Sequence, residues 1–347
     1  MSEQLRLELD LRHYCGSCPL ESICALRELL PCQPRFGDPG YGGPNVLHPA
    51  RPDLDDYLAD LGGAGLDDVE VLPEARPELP LVTPRVRARR ALRGQLDRPF
   101  YAVGPDQVIA HRRSVLAADD LREILDLRAD QRIVLTLFGT DPLMELLWAR
   151  RGSIVPQIAE AGYDLVAPPS FSARINHPPA EFLYNLKRSL AFFSILQWAG
   201  VPSVPRLAWL CEADVDRVAR WCNSRAHLTD VSLDLAVKQP EEWRRQVALL
   251  GRFDFVTGGR FRFLVHGPAA AARMDDLFSI LGARLHLTGS RAISRPRSGA
   301  ADYRRLVDEE VAAATLALER HVGHPGDRTT PGAADPVPEA THLPLAA

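Results

Sequence analysis

The sequence has 347 residues, of which 46% are hydrophobic and 25% are charged, and its formal net charge is −4. This composition is typical of a globular protein and excludes a fibre or a wholly disordered chain. The opening MSEQLRLELDLRHYC has no secretory signal pattern and no run of about 18 apolar residues follows, so we expect a cytoplasmic protein that makes no membrane contact.

Four of the six cysteines lie close together in HYCGSCPLESICALRELLPC, residues 13–32. They are Cys15, Cys18, Cys24 and Cys32. In a reducing compartment such a cluster is typical of a metal site or a catalytic one. Zinc sites usually pair their cysteines in two short knuckles, whereas the spacing C-x2-C-x5-C-x7-C contains only one such pair.

The spacing between Cys24 and Cys32 helps to distinguish a zinc ion from an iron–sulfur cluster. ALRELL, between Cys24 and Cys32, is a good helix former, and eight helical residues span about 12 Å. Four thiolates around one zinc ion lie only about 3.8 Å apart. A [4Fe–4S] cluster spreads its ligands further and therefore fits better, with zinc and a segment without metal as the alternatives. An early break of the helix at Pro31 would favour zinc.

Residues 33–80 are interrupted by many prolines and glycines, which indicates a linker or a wrapping arm with one short helix at 54–61. Residues 322–347 contain too few apolar side chains to be buried, and we expect a disordered tail. The folded domain is therefore expected over residues 81–321.

An arginine-rich stretch, RVRARRALR, lies at the start of that domain. Its five arginines are Arg85, Arg87, Arg89, Arg90 and Arg93. Five cations with no acidic residue among them are typical of a phosphate-binding surface, although a solvated helix face has the same pattern. The stretch predicts nucleic acid or a nucleotide as the partner.

In residues 81–321, short apolar runs alternate with longer amphipathic segments. Eight strands are predicted at 100–103, 108–111, 133–138, 163–167, 204–209, 231–235, 261–265 and 284–287. Repeated strand–helix units of this size predict an α/β fold, a (β/α)₈ TIM-like barrel, with a doubly wound open sheet as the alternative. The front is the exception, because GPD between the first two runs is more typical of a hairpin than of a helical crossover.

In such a barrel the chemistry lies where strands end and the following loops begin. Asp234 and His266 end two of the predicted strands, and we expect Asp234 to act as base or nucleophile with His266 as its acid partner. A helix N-cap and a core histidine are the structural alternatives for these two residues. Glycines and an arginine at the last two strand ends predict an anion site, formed by Gly267, Gly289, Ser290 and Arg291.

Two resemblances add to these patterns. The ten residues CGSCPLESIC resemble the C-x2-C-P-L-x3-C run in the iron–sulfur loop of endonuclease III and MutY-type DNA glycosylases, which implies a [4Fe–4S] cluster. In that family the fourth ligand lies upstream, whereas Cys32 lies downstream, so the resemblance does not extend to glycosylase activity.

Residues 80–300 carry YDLVAPPSFS, YNLKRSLAFFSILQWAGVPSVPRLAW, FLVHGP and LHLTGS in that order. They resemble an uncharacterised barrel family of bacteria, phages and mobile elements, and more loosely the tRNA-guanine transglycosylases. The expectation is an iron–sulfur-containing barrel enzyme that acts on nucleic acid or a nucleotide. The alternatives are a non-catalytic nucleic-acid or partner-binding protein with a structural cluster, and a base-exchange enzyme similar to the transglycosylases.

Overall fold

A computed structural model of the chain describes residues 54–74, 76–87, 92–94, 96–110, 114–172, 179–236, 239–267, 271–289 and 300–322. The four cysteines of residues 13–32, together with Arg89, Arg90, Ser290 and Arg291, lie outside these ranges.

The described residues form an α/β fold built on eight parallel strands. These are β1 (Val82–Pro84), β2 (Phe100–Val103), β5 (Arg132–Thr136), β6 (Leu165–Ala167), β7 (Arg206–Leu207), β8 (Asp230–Asp234), β9 (Arg262–His266) and β10 (Leu285–Gly289). Five of them pair in the order β1-β10-β9-β8-β7 and three in the order β2-β5-β6. Parallel bridges from Arg85 to Ala102 and from Val166 to Ser203 join the two sets. The strands therefore close into a ring in chain order, as in a (β/α)₈ barrel, and the open-sheet alternative is excluded.

Helices cover the outside of this ring. They are α1 (Leu54–Ala59), α2 (Pro105–Val108), α3 (Ala118–Leu125), α4 (Asp141–Ala149), α5 (Arg151–Ala161), α6 (Pro179–Trp198), α7 (Glu212–Asn223), α8 (Pro240–Val256), α9 (Ala271–Leu281) and α10 (Ala300–Val322). Within the described part of the chain, no helix combines the length and the apolar character that crossing a bilayer requires.

One of the eight predicted strands is wrong. From the run at 108–111, only β3 (Ile109–Ala110) forms, and it pairs antiparallel with β4 (Ser114–Val115) in a hairpin outside the ring. The first strand of the ring is instead β1. The sequence pattern did not predict β1, because Pro84 at its end and Pro80 just before it interrupt the apolar run. The other seven predictions are confirmed, although β7 is only two residues long.

The inside of the ring is a separate apolar cluster. It consists of Phe100, Ala102, Val134, Leu165, Ala167, Val204 and Leu264. Side chains along a strand alternate between faces, so the residue two positions further along from each of these also points inward. This alternation places Arg206, which follows Val204, and His266, which follows Leu264, inside the barrel near its carboxyl end.

The amino end of the barrel is filled by ion pairs. Asp230, the first residue of β8, accepts a hydrogen bond from Arg262 Nη2 at 2.9 Å and lies 3.7 Å from Arg76 Nη1. The segment that carries Arg76 crosses this end and is fixed by Leu72, whose N–H donates to Gln197 Oε1 at 3.0 Å. These charges are compensated within the protein, so a substrate site is expected at the opposite, carboxyl end.

Candidate functional site

A buried ion pair stands at the carboxyl end of the ring. The side chain of Arg206 is only 4% exposed, and its Nη2 lies 2.9 Å from Asp234 Oδ2. The N–H bonds are not directed at the carboxylate, so among the described residues both terminal nitrogens of Arg206 lack a hydrogen-bond partner. Burial lowers the pKa of Arg206 to about 9. The guanidinium is therefore charged at pH 7.

The carboxylate of Asp234 is held from three sides. Besides Arg206, the N–H of Ala236 donates to Oδ1 at 3.0 Å and the hydroxyl of Ser170 donates to Oδ2 at 3.4 Å. These three contacts hold the carboxylate in one orientation. The side chain remains 20% exposed, which leaves it accessible.

Both residues face an open cavity of about 590 Å³. Its lining includes Phe138, Asn185, Arg206, Asp234, Gln239 and Gln246. The volume is that of a small-molecule site, and the lining combines a charged pair with amide side chains that both donate and accept hydrogen bonds.

Phe138 supplies an aromatic surface beside the charged pair. Its ring stacks on His266 with a centroid distance of 6.5 Å, and the Arg206 guanidinium carbon lies 5.5 Å from its centroid. Trp209 and Phe171 also line the cavity, but Trp209 packs on Phe253 and Phe171 lies against the guanidinium group of Arg188. Both are buried, whereas Phe138 is only partly buried.

His266 lies next to Asp234 in the strand register, and the structure does not join them by a hydrogen bond. The two residues are Cα partners across β8 and β9. Within the described residues, Nε2 of His266 has no hydrogen-bond partner. Burial, and then the charges of Arg206 and Arg85, hold the pKa of His266 well below its usual range. The imidazole is therefore neutral at pH 7 and offers a hydrogen bond rather than a charged acid.

The two glycines of the predicted anion site are required by packing. Gly267 has φ +110°, and a Cβ there would lie 2.5 Å from the backbone nitrogen of Ala236. A Cβ on Gly289 would lie 2.6 Å from Glu310 Oε2. Close approach of neighbouring chain segments thus explains both glycines, and an anion role for them stays a prediction.

The described arginines of the basic stretch differ in burial. Arg85 continues β1, because its N–H donates to the Gly289 carbonyl at 3.2 Å, and its guanidinium occupies the space that a side chain on Gly104 would need. Burial lowers the pKa of Arg85. Arg87 is partly buried and Arg93 is exposed. Arg85 therefore belongs to the mouth of the barrel.

Sequence reasoning missed Arg206 as a site residue. The predicted strand 204–209 ends at Trp209, which puts Arg206 in the middle of the strand and not at the end, where site residues are expected. The available signal was a charged residue within the otherwise apolar run VPRLAW. A charged residue there must be paired or must serve a ligand.

Among the described residues, no group of three or more His, Cys, Asp or Glu side chains is arranged to hold a metal ion. The four cysteines predicted as metal ligands lie outside these residues.

No protein-family model and no curated protein matches this chain. Among solved structures, a mandelate oxidase mutant with a monooxide FMN adduct is 14% identical, covering 77% of this chain and 95% of its own, with a TM-score of 0.38. A 4-hydroxy-2-oxoglutarate aldolase is 20% identical, covering 62% and 98%, with a TM-score of 0.31. Dihydrodipicolinate synthase from Bacillus clausii is 12% identical, covering 70% and 78%, with a TM-score of 0.32. All three scores are below 0.5, so the fold of this chain rests on its own strand pairing.

Proposed function

We propose that this chain is an enzyme whose active site is the barrel mouth and whose substrate is a nucleotide, free or within a nucleic acid. The observation that carries the proposal is the buried Arg206–Asp234 pair on the wall of an open cavity. Buried donors without partners cost free energy, which a bound substrate with acceptor groups would recover.

Asp234 is the residue assigned to chemistry. It is accessible from the cavity and fixed in orientation by Arg206, Ser170 and Ala236. A carboxylate held in this way can accept a proton as general base or attack as nucleophile. His266, as a neutral imidazole, would donate a hydrogen bond to a substrate atom that becomes negative during the reaction.

The cavity wall supports a nucleobase as part of the substrate. The ring of the partly buried Phe138 can stack on a planar ring, and Asn185, Gln239 and Gln246 can pair with the edge of a base. If the reaction is base exchange, as the resemblance to transglycosylases implies, an Asp234 oxygen bonds to the sugar C1′ while the C1′–N bond to the leaving base breaks.

The predicted iron–sulfur cluster is part of the same proposal. We assign Cys15, Cys18, Cys24 and Cys32 as its ligands, with zinc as the alternative, and place the protein in the reducing cytoplasm, where such thiolates stay available. The five arginines of residues 85–93 and the anion site at residues 267 and 289–291 are assigned to phosphate contacts.

The test compares wild type with Asp234→Asn. Nucleoside monophosphates and a short single-stranded oligonucleotide are incubated with protein purified without oxygen, binding is followed by tryptophan fluorescence, and products are identified by mass spectrometry. We expect turnover by wild type, and binding without turnover by Asp234→Asn, with the rate at least about 100-fold lower. Asp216→Asn, the same substitution in an exposed ion pair on the outer helices, is the matched control.

Asp234→Asn leaves Arg206 buried without its counter-charge and can lower folding yield. Arg206→Lys keeps a positive charge in the mouth but loses the planar fork, and should weaken binding while the barrel stays folded. Nucleotide binding that Asp234→Asn retains in a protein without any turnover would favour the non-catalytic binding protein. Absence of nucleotide and oligonucleotide binding would refute the proposal.

A further inference from the structure

A row of polar side chains crosses four neighbouring strands on the inner wall of the barrel. Thr83 of β1 pairs with Thr288 of β10, Thr288 pairs with His266 of β9, and His266 pairs with Asp234 of β8. Paired residues of parallel strands point to the same face, and His266 points inward, so the whole row does. Asp234 lines the open cavity, and the other three lie on the strands that follow β8 around the ring, which are β9, β10 and β1.

These three side chains are buried and unsatisfied. Thr83 is 0% exposed, Thr288 2% and His266 4%. In the part of the chain that the structure describes, Thr83 Oγ1, Thr288 Oγ1 and His266 Nε2 have no hydrogen-bond partner. Buried polar atoms in proteins nearly always have partners, so three in one row indicate an occupant that supplies them.

Two arginines lie along the row, and each has a carboxylate near it. Arg85 follows Thr83 on the same face of β1, and its Nη2 lies beside Gly104. The carboxylate of Asp106 acts on Arg85 and also accepts from the side chain of Gln107. At the other end of the row, Asp234 is already paired with Arg206. Guanidinium, hydroxyl and imidazole groups can all donate here, and together they select a ligand with several acceptor oxygens.

We infer that Thr83, Arg85, His266 and Thr288 form a phosphate subsite, which holds the phosphate of a nucleotide while its base lies in the cavity beside Phe138. The inference rests on the proposed function only in naming a nucleotide as the complete ligand. The phosphate subsite itself is argued from the residues of the row. Phosphate suits the site because it accepts from a guanidinium, two hydroxyls and a neutral imidazole at once.

The test measures the binding of inorganic phosphate by calorimetry and by the thermal shift it causes, with chloride at equal ionic strength as reference. Arg85→Gln and the double variant Thr83→Val/Thr288→Val should each lose about tenfold or more in phosphate affinity. Thr136→Val is the matched control. Its hydroxyl also lies inside the barrel but donates to the Val103 carbonyl at 3.1 Å, so phosphate affinity should stay unchanged.

Stability without phosphate separates a ligand role from a structural one. The double valine variant removes hydroxyls that lack partners and should be at least as stable as wild type, whereas Thr136→Val removes a satisfied hydrogen bond and should be less stable. Unchanged phosphate affinity in both subsite variants, acetate binding as tightly as phosphate, or a double valine variant destabilised like Thr136→Val would overturn the subsite.

The two proposals fail differently. If phosphate binds at the subsite but no nucleotide is turned over, the enzymatic proposal fails and the subsite stands. If nucleosides bind as tightly as their monophosphates, the subsite fails although the enzyme can still act on them.

Discussion

Replacing Gly267 by alanine should destabilise the barrel by more than backbone strain alone, because the added Cβ would also clash with Ala236. An alanine at φ +110° is strained, which costs about 1–2 kcal/mol. Its Cβ would also lie 2.5 Å from the nitrogen and 2.7 Å from the Cα of Ala236, contacts that only a backbone shift relieves. Forced overpacking costs about 1–3 kcal/mol, so the total for Gly267→Ala is about 2–5 kcal/mol.

Gly200 provides the control for the backbone strain alone. It has φ +74°, and a Cβ there would meet nothing within 4 Å. Gly200→Ala should therefore cost only about 1–2 kcal/mol.

Urea unfolding followed by tryptophan fluorescence measures the free energy of unfolding of each variant. The extra cost of Gly267→Ala over Gly200→Ala, about 1–3 kcal/mol, corresponds to a midpoint lower by roughly 0.3–1 M. Gly267→Ala should also weaken nucleotide binding, since the displaced Ala236 orients Asp234 through its N–H. Equal midpoints for the two variants would show that the close approach of residues 235–236 to Gly267 does not determine this part of the fold.

Three further predictions concern the cysteines, the arginines and the buried histidine. Protein purified without oxygen should be brown and contain about four iron atoms per chain, and Cys18→Ala should remove both colour and iron, because a thiolate ligand is lost. Replacing Arg87, Arg89 and Arg90 together by glutamine should weaken binding to DNA or RNA and lower the log–log salt slope by about one unit per lost phosphate contact, measured by titration at several salt concentrations. His266→Gln should flatten the fall of stability below pH 6.5, measured by urea unfolding at several pH values, because burial keeps the pKa of His266 below its unfolded value of 6.5 and protonation therefore favours the unfolded chain.

Each of these predictions has a control in the same chain. Cys222→Ala removes a buried cysteine outside the cluster and should leave colour and iron intact. Arg244→Gln removes an arginine that is 75% exposed on α8 and should leave the salt slope unchanged. His286→Gln tests a second histidine with a lowered pKa, which is only partly buried and contacts the Pro80 carbonyl at the amino end of the barrel.

The outcomes that contradict these predictions are equally concrete. Colourless protein with stoichiometric zinc would replace the iron–sulfur assignment. Matching titration curves for wild type and the triple arginine variant would leave a small anionic ligand as the partner. For His266, the slope between about pH 5 and 6.5 should decrease by up to about 1.4 kcal/mol per pH unit, and an unchanged slope would mean that the imidazole is not held neutral.

The barrel itself was predictable because its strands are continuous apolar runs separated by amphipathic helices. That pattern follows from burial on both faces of a parallel sheet. The pattern failed at β1, where a three-residue strand that ends in Pro84 carries too few apolar residues to be recognised. It failed again at β3, where an apolar run forms a hairpin after α2 instead of entering the ring.

Single residues of the candidate site could be predicted from the sequence, but the contacts between them could not. Asp234 and His266 are candidates because polar residues that end apolar strands stand out in the sequence, and their roles stay predictions. Their neighbours could not be identified, because the contact between Arg206 and Asp234 depends on the pairing of β7 with β8. The place of Arg85 inside the mouth depends on the bridge from β1 to β2, which joins the two sets of strands. Strand pairing brings together residues that are far apart in the sequence, so neither segment alone shows which side chains will meet.

The closure of the ring also determines when the protein can fold during synthesis. The first strand pairs with the last, Val82 beside Leu287, and the hydroxyl of Tyr303 on α10 donates to the Arg85 carbonyl near this seam. Roughly 200 residues separate the two sides, and a ribosome needs about 10–40 s to add them. During that time the edge of β1 that faces β10 has no partner strand. The nascent chain must therefore carry an open sheet edge until nearly all of the barrel has been translated, and chaperones that cover such edges should bind it most strongly just before β10 emerges.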